Sequence, residues 1–172
     1  TINGEAGDDT ITVNSAPSTG LNLSGGAGDD SYVVNFGSLS GTVTIVESSD
    51  NGTDSVTLNA TPGNDVVTVT DSQTTSSGRT VAYDANLEVL TVSGGAGNDQ
   101  FTATPSASGV TPIVTLDGSG GSDSLHITTA VNGFVPTTTG TVAVTGKNLS
   151  YLNIETVTVH DLPLAFDDVT ST

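Results

Sequence analysis

The chain has no cysteine, no methionine and no tryptophan. Without cysteine it can form no disulfide, offers no thiolate to a metal and has no thiol nucleophile. Cationic side chains are nearly missing too: Arg79 and Lys147 stand against nineteen Asp and Glu, a formal net charge of −17 over 172 residues. Two basic groups cannot neutralise a phosphate backbone, so nucleic acid is excluded as a partner. The same sign argument excludes an anionic membrane surface. No apolar run approaches the roughly 18 residues of a spanning helix, so no membrane insertion is expected. No window spaces apolar residues at i, i+3, i+4 among good helix formers, which all but excludes helix.

What the chain does have is β-branched residues. Thirty Thr, 21 Val and 6 Ile make up a third of it, with 20 Ser and 21 Gly besides. Such side chains are stiff at χ1 and suit strands. Leu, Ile, Val and Phe total 43, about a quarter and above the roughly one-fifth level below which a highly charged chain stays disordered. An all-β fold is expected. Alternation predicts strands at Thr10–Asn14, Leu21–Ser24, Ser31–Phe36, Gly41–Val46, Ser55–Asn59, Val66–Thr70, Thr80–Tyr83, Val89–Val92, Gln100–Thr104, Ile113–Leu116, Ser124–Thr128, Thr141–Thr145 and Thr156–Val159. Asn51-Gly52 and Asn132-Gly133 read as turns, and Asp71–Gly78 and Thr137–Gly140 as polar loops leaving the core.

Internal repeats organise these strands. Gly25-Gly26-Ala27-Gly28-Asp29-Asp30 and Gly94-Gly95-Ala96-Gly97-Asn98-Asp99 match G-G-x-G-x-D, each followed at the second place by a large ring, Tyr32 or Phe101. Looser copies keep Gly-x-Asp and an apolar residue two places on, at Asp9 with Ile11, Asp54 with Val56, Asp65 with Val67 and Asp123 with Leu125. The six aspartates are 21, 24, 11, 34 and 24 residues apart. Over them lies a longer unit: Thr1–Val34 aligns with Thr91–Ile127, and Tyr83–Val92 echoes Tyr151–Val159. The expected organisation is a repeat domain over 1–160, with related units at about 1–90 and 91–160, and an exit linker over 161–172. Each unit is too small to bury its own apolar face, so neighbours bury it for one another. That favours a parallel β-solenoid with its Gly-Asp loops stacked at one corner; the alternative is a β-sandwich, whose core usually takes more aromatic filling than the 4% present here.

The Gly-Asp loops suit calcium. Ca²⁺ takes six to eight oxygens from carboxylates and backbone carbonyls. A Gly-rich turn can aim carbonyls inward, and two stacked loops could share an ion, each ion cancelling two of the seventeen excess negative charges. The adjacent pairs Asp8-Asp9 and Asp29-Asp30 repel unless neutralised. The competing reading is that Gly-x-Asn/Asp only turns the chain, its Asx side chain bonding backbone N–H two residues on.

The spacing over Gly25–Val33 and Gly94–Thr102 resembles the RTX calcium-binding nonapeptide repeats. The resemblance implies Asp30 and Asp99 as metal ligands, with carbonyls from Gly25, Ala27, Gly94 and Ala96. Asp9 and Asp123 follow from the looser copies, as do Asp54 and Asp65, where Ser49-Asp50 and Ala60-Thr61 replace the leading glycines. The family's repeats run back to back and line both edges of a β-roll, whereas here they are 11 to 34 residues apart, which leaves one edge of a wider coil.

Other chemistry is thinly represented. His126 alternates with Leu125 and Ile127 and should face solvent, and with His160 it makes too few imidazoles for zinc. No nucleophile–base pair is visible, so no catalysis is expected. Leu162–Thr170 resembles the Pro-x-Ala-x-Asp-Asp start of cadherin-like and VCBS-type tandem domains, and the sequence opens inside a repeat. Together with the family resemblance, these features imply a calcium-rigidified structural module of an extracellular or cell-surface bacterial adhesin, stalk or filament, its partners being neighbouring repeats or copies end to end. The alternative is a glycan-binding module or the repeat tail of a secreted enzyme. Tyr83 and Tyr151 are its best sugar platforms, although their matching repeat positions argue for the core.

Overall fold

The computed structural model describes residues 1–47, 52–104, 112–128, 139–144 and 147–159. Leu162–Thr170, His160, the 161–172 linker and Asn132-Gly133 lie outside them. The described residues form sixteen strands, one 3-10 turn at Phe36–Ser38 and no α-helix. In chain order they are β1 (Ile2–Ala6), β2 (Thr10–Val13), β3 (Leu21–Ala27), β4 (Ser31–Asn35), β5 (Val43–Ile45), β6 (Ser55–Asn59), β7 (Val66–Thr70) and β8 (Gln73–Ser76). Then come β9 (Arg79–Tyr83), β10 (Val89–Ser93), β11 (Gln100–Thr104), β12 (Ile113–Asp117), β13 (Ser124–Ile127), β14 (Gly140–Val144), β15 (Lys147–Leu152) and β16 (Thr156–Val159). No helix among these residues is long and apolar enough to cross a membrane.

The protein is all-β, with two mixed sheets. One has the order β1-β3-β5-β9-β8-β7-β11-β13-β16, the other β14-β15-β12-β10-β6-β4-β2. Eleven of the fourteen described strand pairs are parallel. Successive strands alternate between the sheets except at β7–β8–β9, an antiparallel meander kept within the nine-stranded sheet, and at the β14–β15 pair.

Alternation of side chains puts one face of most strands into a single core, β1 being an exception with no buried residue. Val34, Leu58, Val92, Leu116 and Tyr151 are register partners in one buried row of the seven-stranded sheet. Val67, Phe101, Leu125 and Val157 form a row in the other. Full burial of one such side chain stabilises by about 1.5–3 kcal/mol. His126 is exposed, as expected, while Tyr32, Phe101, Val67 and Val69 are buried and Thr68 is half-buried.

Two expectations are corrected. Asp71–Gly78 is not a loop leaving the core: it holds β8, whose inward residues Thr74 and Ser76 are fully buried hydroxyls. Thr74 Oγ1 pairs with Tyr83 Oη at 3.1 Å, and Ser76 Oγ donates to Asp65 Oδ1 at 3.1 Å. The two sequence units also change sheets. β1–β4 run nine-, seven-, nine-, seven-stranded, whereas their counterparts β10–β13 run in the opposite order. The Gly-Asp loops therefore form two stacks, not one. Those before β2, β4 and β6 lie where the chain leaves the nine-stranded sheet, and those before β7, β11 and β13 where it enters it.

Candidate metal centre

Each stack is held by a ladder of backbone-to-carboxylate hydrogen bonds. In the first, Asp9 N–H donates to Asp30 Oδ1 (2.8 Å), Asp30 N–H to Asp54 Oδ1 (2.9 Å) and Asp54 N–H to Glu88 Oε2 (2.7 Å). In the second, Asp65 N–H donates to Asp99 Oδ1 (2.8 Å), Asp99 N–H to Asp123 Oδ1 (2.7 Å) and Asp123 N–H to Glu155 Oε2 (2.5 Å). The residue before each acid runs a ladder in the other direction. Asp29 N–H donates to Asp8 Oδ1, Thr53 N–H to Asp29 Oδ1, Asn98 N–H to Asn64 Oδ1 and Ser122 N–H to Asn98 Oδ1, at 2.8–3.0 Å. Hydrogen bonds to an ionised acceptor are the strong kind, contributing about 1.5–3 kcal/mol each.

The ladders use one oxygen each of Asp30, Asp54, Asp99 and Asp123. Buried without a partner are Asp30 Oδ2, Asp99 Oδ2 and Asp123 Oδ2, and also Asp9 Oδ2 at the end of its ladder. Asp30, Asp99 and Asp123 are 1–2% exposed. In each case the unpartnered oxygen lies over the glycine five residues back: a methyl added to Gly4, Gly25, Gly94 or Gly118 would overlap the carboxylate of Asp9, Asp30, Asp99 or Asp123. Gly4–Asp9 and Gly118–Asp123 are thus the same loop as the two full motifs. Glu5 (φ 81°) and Ser119 (φ 66°) occupy the left-handed position that Gly26 (φ 110°) fills in the full motif. Substitution at that one position hid the match, and the glycine five places before each aspartate was the readable signal.

Burial pushes the Asp99 and Asp123 carboxyls above the ordinary carboxylate range. Neighbouring acids add to it, Asp123 and Asp65 at the first and Glu155 and Asp117 at the second. Asp65 differs. Burial pushes it up as well, but donors from Thr61, Ser77 and Ser76 outweigh that and hold it low. Thr61 N–H (2.9 Å) and Oγ1 (2.6 Å) reach Oδ2, while Ser76 Oγ (3.1 Å) and Ser77 Oγ (2.8 Å) reach Oδ1. Both oxygens of Asp65 thus accept hydrogen bonds from the protein itself. Of the expected carbonyl donors, Ala27 O already accepts Gly7 N–H at 2.7 Å, while Gly25 O faces Gly4.

A closer cluster lies in the first stack. Asp30, Glu47 and Asp54 are buried, each offering an oxygen within 4.8 Å of the others, and could hold a metal ion. Glu47 carries no motif and went unmarked in the sequence; strand register brings it there, two residues past the Leu23–Ile45 pair of β3 and β5. Tyr32 Oη donates to Glu47 Oε1, which Gly25 N–H also approaches at 3.4 Å, and Glu47 Oε2 is buried and unpartnered. Burial raises the Glu47 carboxyl first of all; the Tyr32 and Gly25 hydrogen bonds pull it down, and the Asp54 and Asp30 charges push it up. Burial likewise raises the Tyr32 phenol.

The donors are all hard oxygens, with no imidazole or thiolate among them, which fits a hard cation and not zinc. The two tyrosines considered for sugar stacking, Tyr83 and Tyr151, are core residues, 4% and 1% exposed. Comparison of the chain with protein-family models, with curated proteins and with solved structures finds no match.

Proposed function

We propose that the protein is a non-catalytic structural module, a parallel β-solenoid rigidified by Ca²⁺ in its Gly-Asp loops, from an extracellular or surface-exposed bacterial adhesin, stalk or filament. The observation that carries this reading is the set of buried, unpartnered second oxygens on Asp30, Asp99 and Asp123. A buried carboxylate oxygen with no donor is costly, and a cation bound there removes the cost. Asp9, part-exposed at the end of its ladder, would be a weaker site. Calcium is favoured over magnesium because an enclosed set of protein oxygens suits an ion with flexible geometry, whereas Mg²⁺ demands a near-ideal octahedron and dehydrates reluctantly.

Two further features support the solenoid and end-to-end parts of the reading. Parallel strands that alternate between two sheets wind the chain in coils, and equal acids on successive coils fall into register. Among the described residues, β1 and β2 at one end and β16 and β14 at the other are edge strands with one partner each, open to a further coil or a second copy. The test is thermal melting of the chelator-treated protein with added Ca²⁺ or Mg²⁺. Ca²⁺ should raise Tm by many degrees and Mg²⁺ should not. A flat calcium titration would leave the loops as Asx turns and remove the proposed role.

A further inference from the structure

The sequence motif marks the glycine-rich loops, yet the densest set of ligands lies elsewhere. Among the described residues, Asp30, Glu47 and Asp54 are the one group of three acids whose oxygens come within 4.8 Å of one another. They are 2%, 4% and 2% exposed. Their geometry is fixed before any ion arrives: Asp30 Oδ1 is held by Asp9 N–H, Asp54 Oδ1 by Asp30 N–H, and Glu47 Oε1 by Tyr32 Oη. Glu47 is pinned from behind as well, its N–H donating to Asp84 Oδ2 at 3.0 Å and its carbonyl accepting Asn86 Nδ2 at 2.9 Å. Asp30 Oδ2 and Glu47 Oε2 are left buried with no partner. In the second stack the matching place beside Gly94 is taken by Gly118 and then Asn153, so no third acid enters there.

We propose that Asp30, Glu47 and Asp54 form a closed tricarboxylate cation site, with Tyr32 as the residue that positions Glu47, and that this site fills first as Ca²⁺ is added. Affinity at calcium sites follows the number of charged ligands and the rigidity of their frame. Three carboxylates on a hydrogen-bonded frame therefore outrank the aspartate-and-carbonyl loops at Asp99 and Asp123. The inference deepens the calcium reading above and rests on it for the identity of the ion; the site's own geometry ranks it.

Terbium, a Ca²⁺ substitute whose emission is sensitised by a nearby tyrosine, reads the site directly. The chelator-stripped full chain is titrated with Tb³⁺ under tyrosine excitation and then back-titrated with Ca²⁺. The first equivalent should give sensitised emission that Ca²⁺ quenches. Tyr32→Phe should lose most of the first-equivalent emission, and Glu47→Gln should weaken that binding tenfold or more while later equivalents persist. Asp99→Asn should leave the first equivalent unchanged. Asp54→Asn, which keeps the acceptor for Asp30 N–H, serves as a second variant should Glu47→Gln lose its far-ultraviolet strand signal. Unchanged first-equivalent affinity in Glu47→Gln or Asp54→Asn, or weakening by Asp99→Asn, overturns the inference and leaves the calcium module standing. Absence of any Tb³⁺ or Ca²⁺ binding by the wild-type chain overturns both.

Discussion

Asparagine at position 99 separates the two roles of that carboxylate. Asp99 Oδ1 accepts Asp65 N–H at 2.8 Å, which an amide oxygen does equally well, whereas the unpartnered Oδ2 becomes an NH₂ that cannot ligate a cation. A ligand that binds only the folded state at a hundredfold excess over Kd stabilises it by about 2.7 kcal/mol. In a chain of this length each kcal/mol moves Tm by about 2–4 °C, so losing the site should remove about 5–11 °C of the calcium-induced rise. In chelator the same change should leave Tm equal or higher, because burial and then the neighbouring Asp123 and Asp65 already disfavour the charge at Asp99. Asp99→Ala is the control. It strands Asp65 N–H beside a buried main chain, costing about 1–3 kcal/mol with or without calcium. Calorimetric melts of the three proteins in EDTA and in Ca²⁺ give six values of Tm. An Asn variant with an undiminished calcium effect, or one destabilised in EDTA as much as the Ala variant, refutes the division of labour between the two oxygens.

The metal-free protein should gain stability on acidification from pH 7 to about 4.5, since Glu47, Asp99 and Asp123 hold raised pKa values when folded and their contribution is fully present below the ordinary carboxylate range and lost as pH rises through the raised values. Asp65, held low, acts in the opposite sense only at lower pH; a metal-free Tm that falls across the upper window contradicts the assignment. Gly25→Ala should cost about 1–3 kcal/mol by driving Asp30 off the Asp9 N–H, whereas Gly37→Ala, whose nearest neighbour would be Thr61 Cγ2 at 3.8 Å, should be neutral; equal effects in urea unfolding would sink the close-approach argument. Val67→Asp buries an unpaired charge at a fully enclosed position and should cost several kcal/mol, so a loss below about 1 kcal/mol would mean the inward face is misassigned.

Where alternation is carried by valine and other apolar residues, the strands were legible to the residue. Ser55–Asn59, Val66–Thr70, Gln100–Thr104 and Thr156–Val159 have the bounds their patterns suggest. β8 was invisible because its buried face is made of hydroxyls, Thr74 and Ser76, whose burial depends on partners from Tyr83 and Asp65 that no local pattern encodes. β1 was missed because its five residues, INGEA, run into the glycine loop with a single large apolar side chain. The spacing of 11 between Asp54 and Asp65 was confusing only while all six aspartates were counted as one series. They belong to two stacks, with neighbours 21, 24 and 34 apart in the first and 34, 24 and 32 in the second. Glu47 was beyond reach for a similar reason: its closeness to Asp30 and Asp54 comes from strand register.

The chain's own repeats offer one more comparison. The outer ladder position tolerates variety: it holds Asp8, Asp29 and Thr53 in one stack and Asn64, Asn98 and Ser122 in the other. The inner position does not. All eight of its residues are acids: Asp9, Asp30, Asp54 and Glu88, then Asp65, Asp99, Asp123 and Glu155. Six of the inner acids do the same hydrogen-bonding work as the outer residues, one side-chain oxygen accepting one backbone N–H from the neighbouring loop, and asparagine at the outer position does it well at 2.8–2.9 Å. If that were the whole task, asparagine would serve inside as well, without the repulsion and desolvation of buried charge. At Asp65, which accepts no ladder N–H, both oxygens have their own use, one filled by the Thr61 hydroxyl and N–H and the other by the Ser76 and Ser77 hydroxyls. At Asp30, Asp99 and Asp123 it has no protein partner at all. A negative charge kept where hydrogen bonding does not require it, with its free oxygen enclosed and turned toward glycine, is the observation that supports the proposed cation sites.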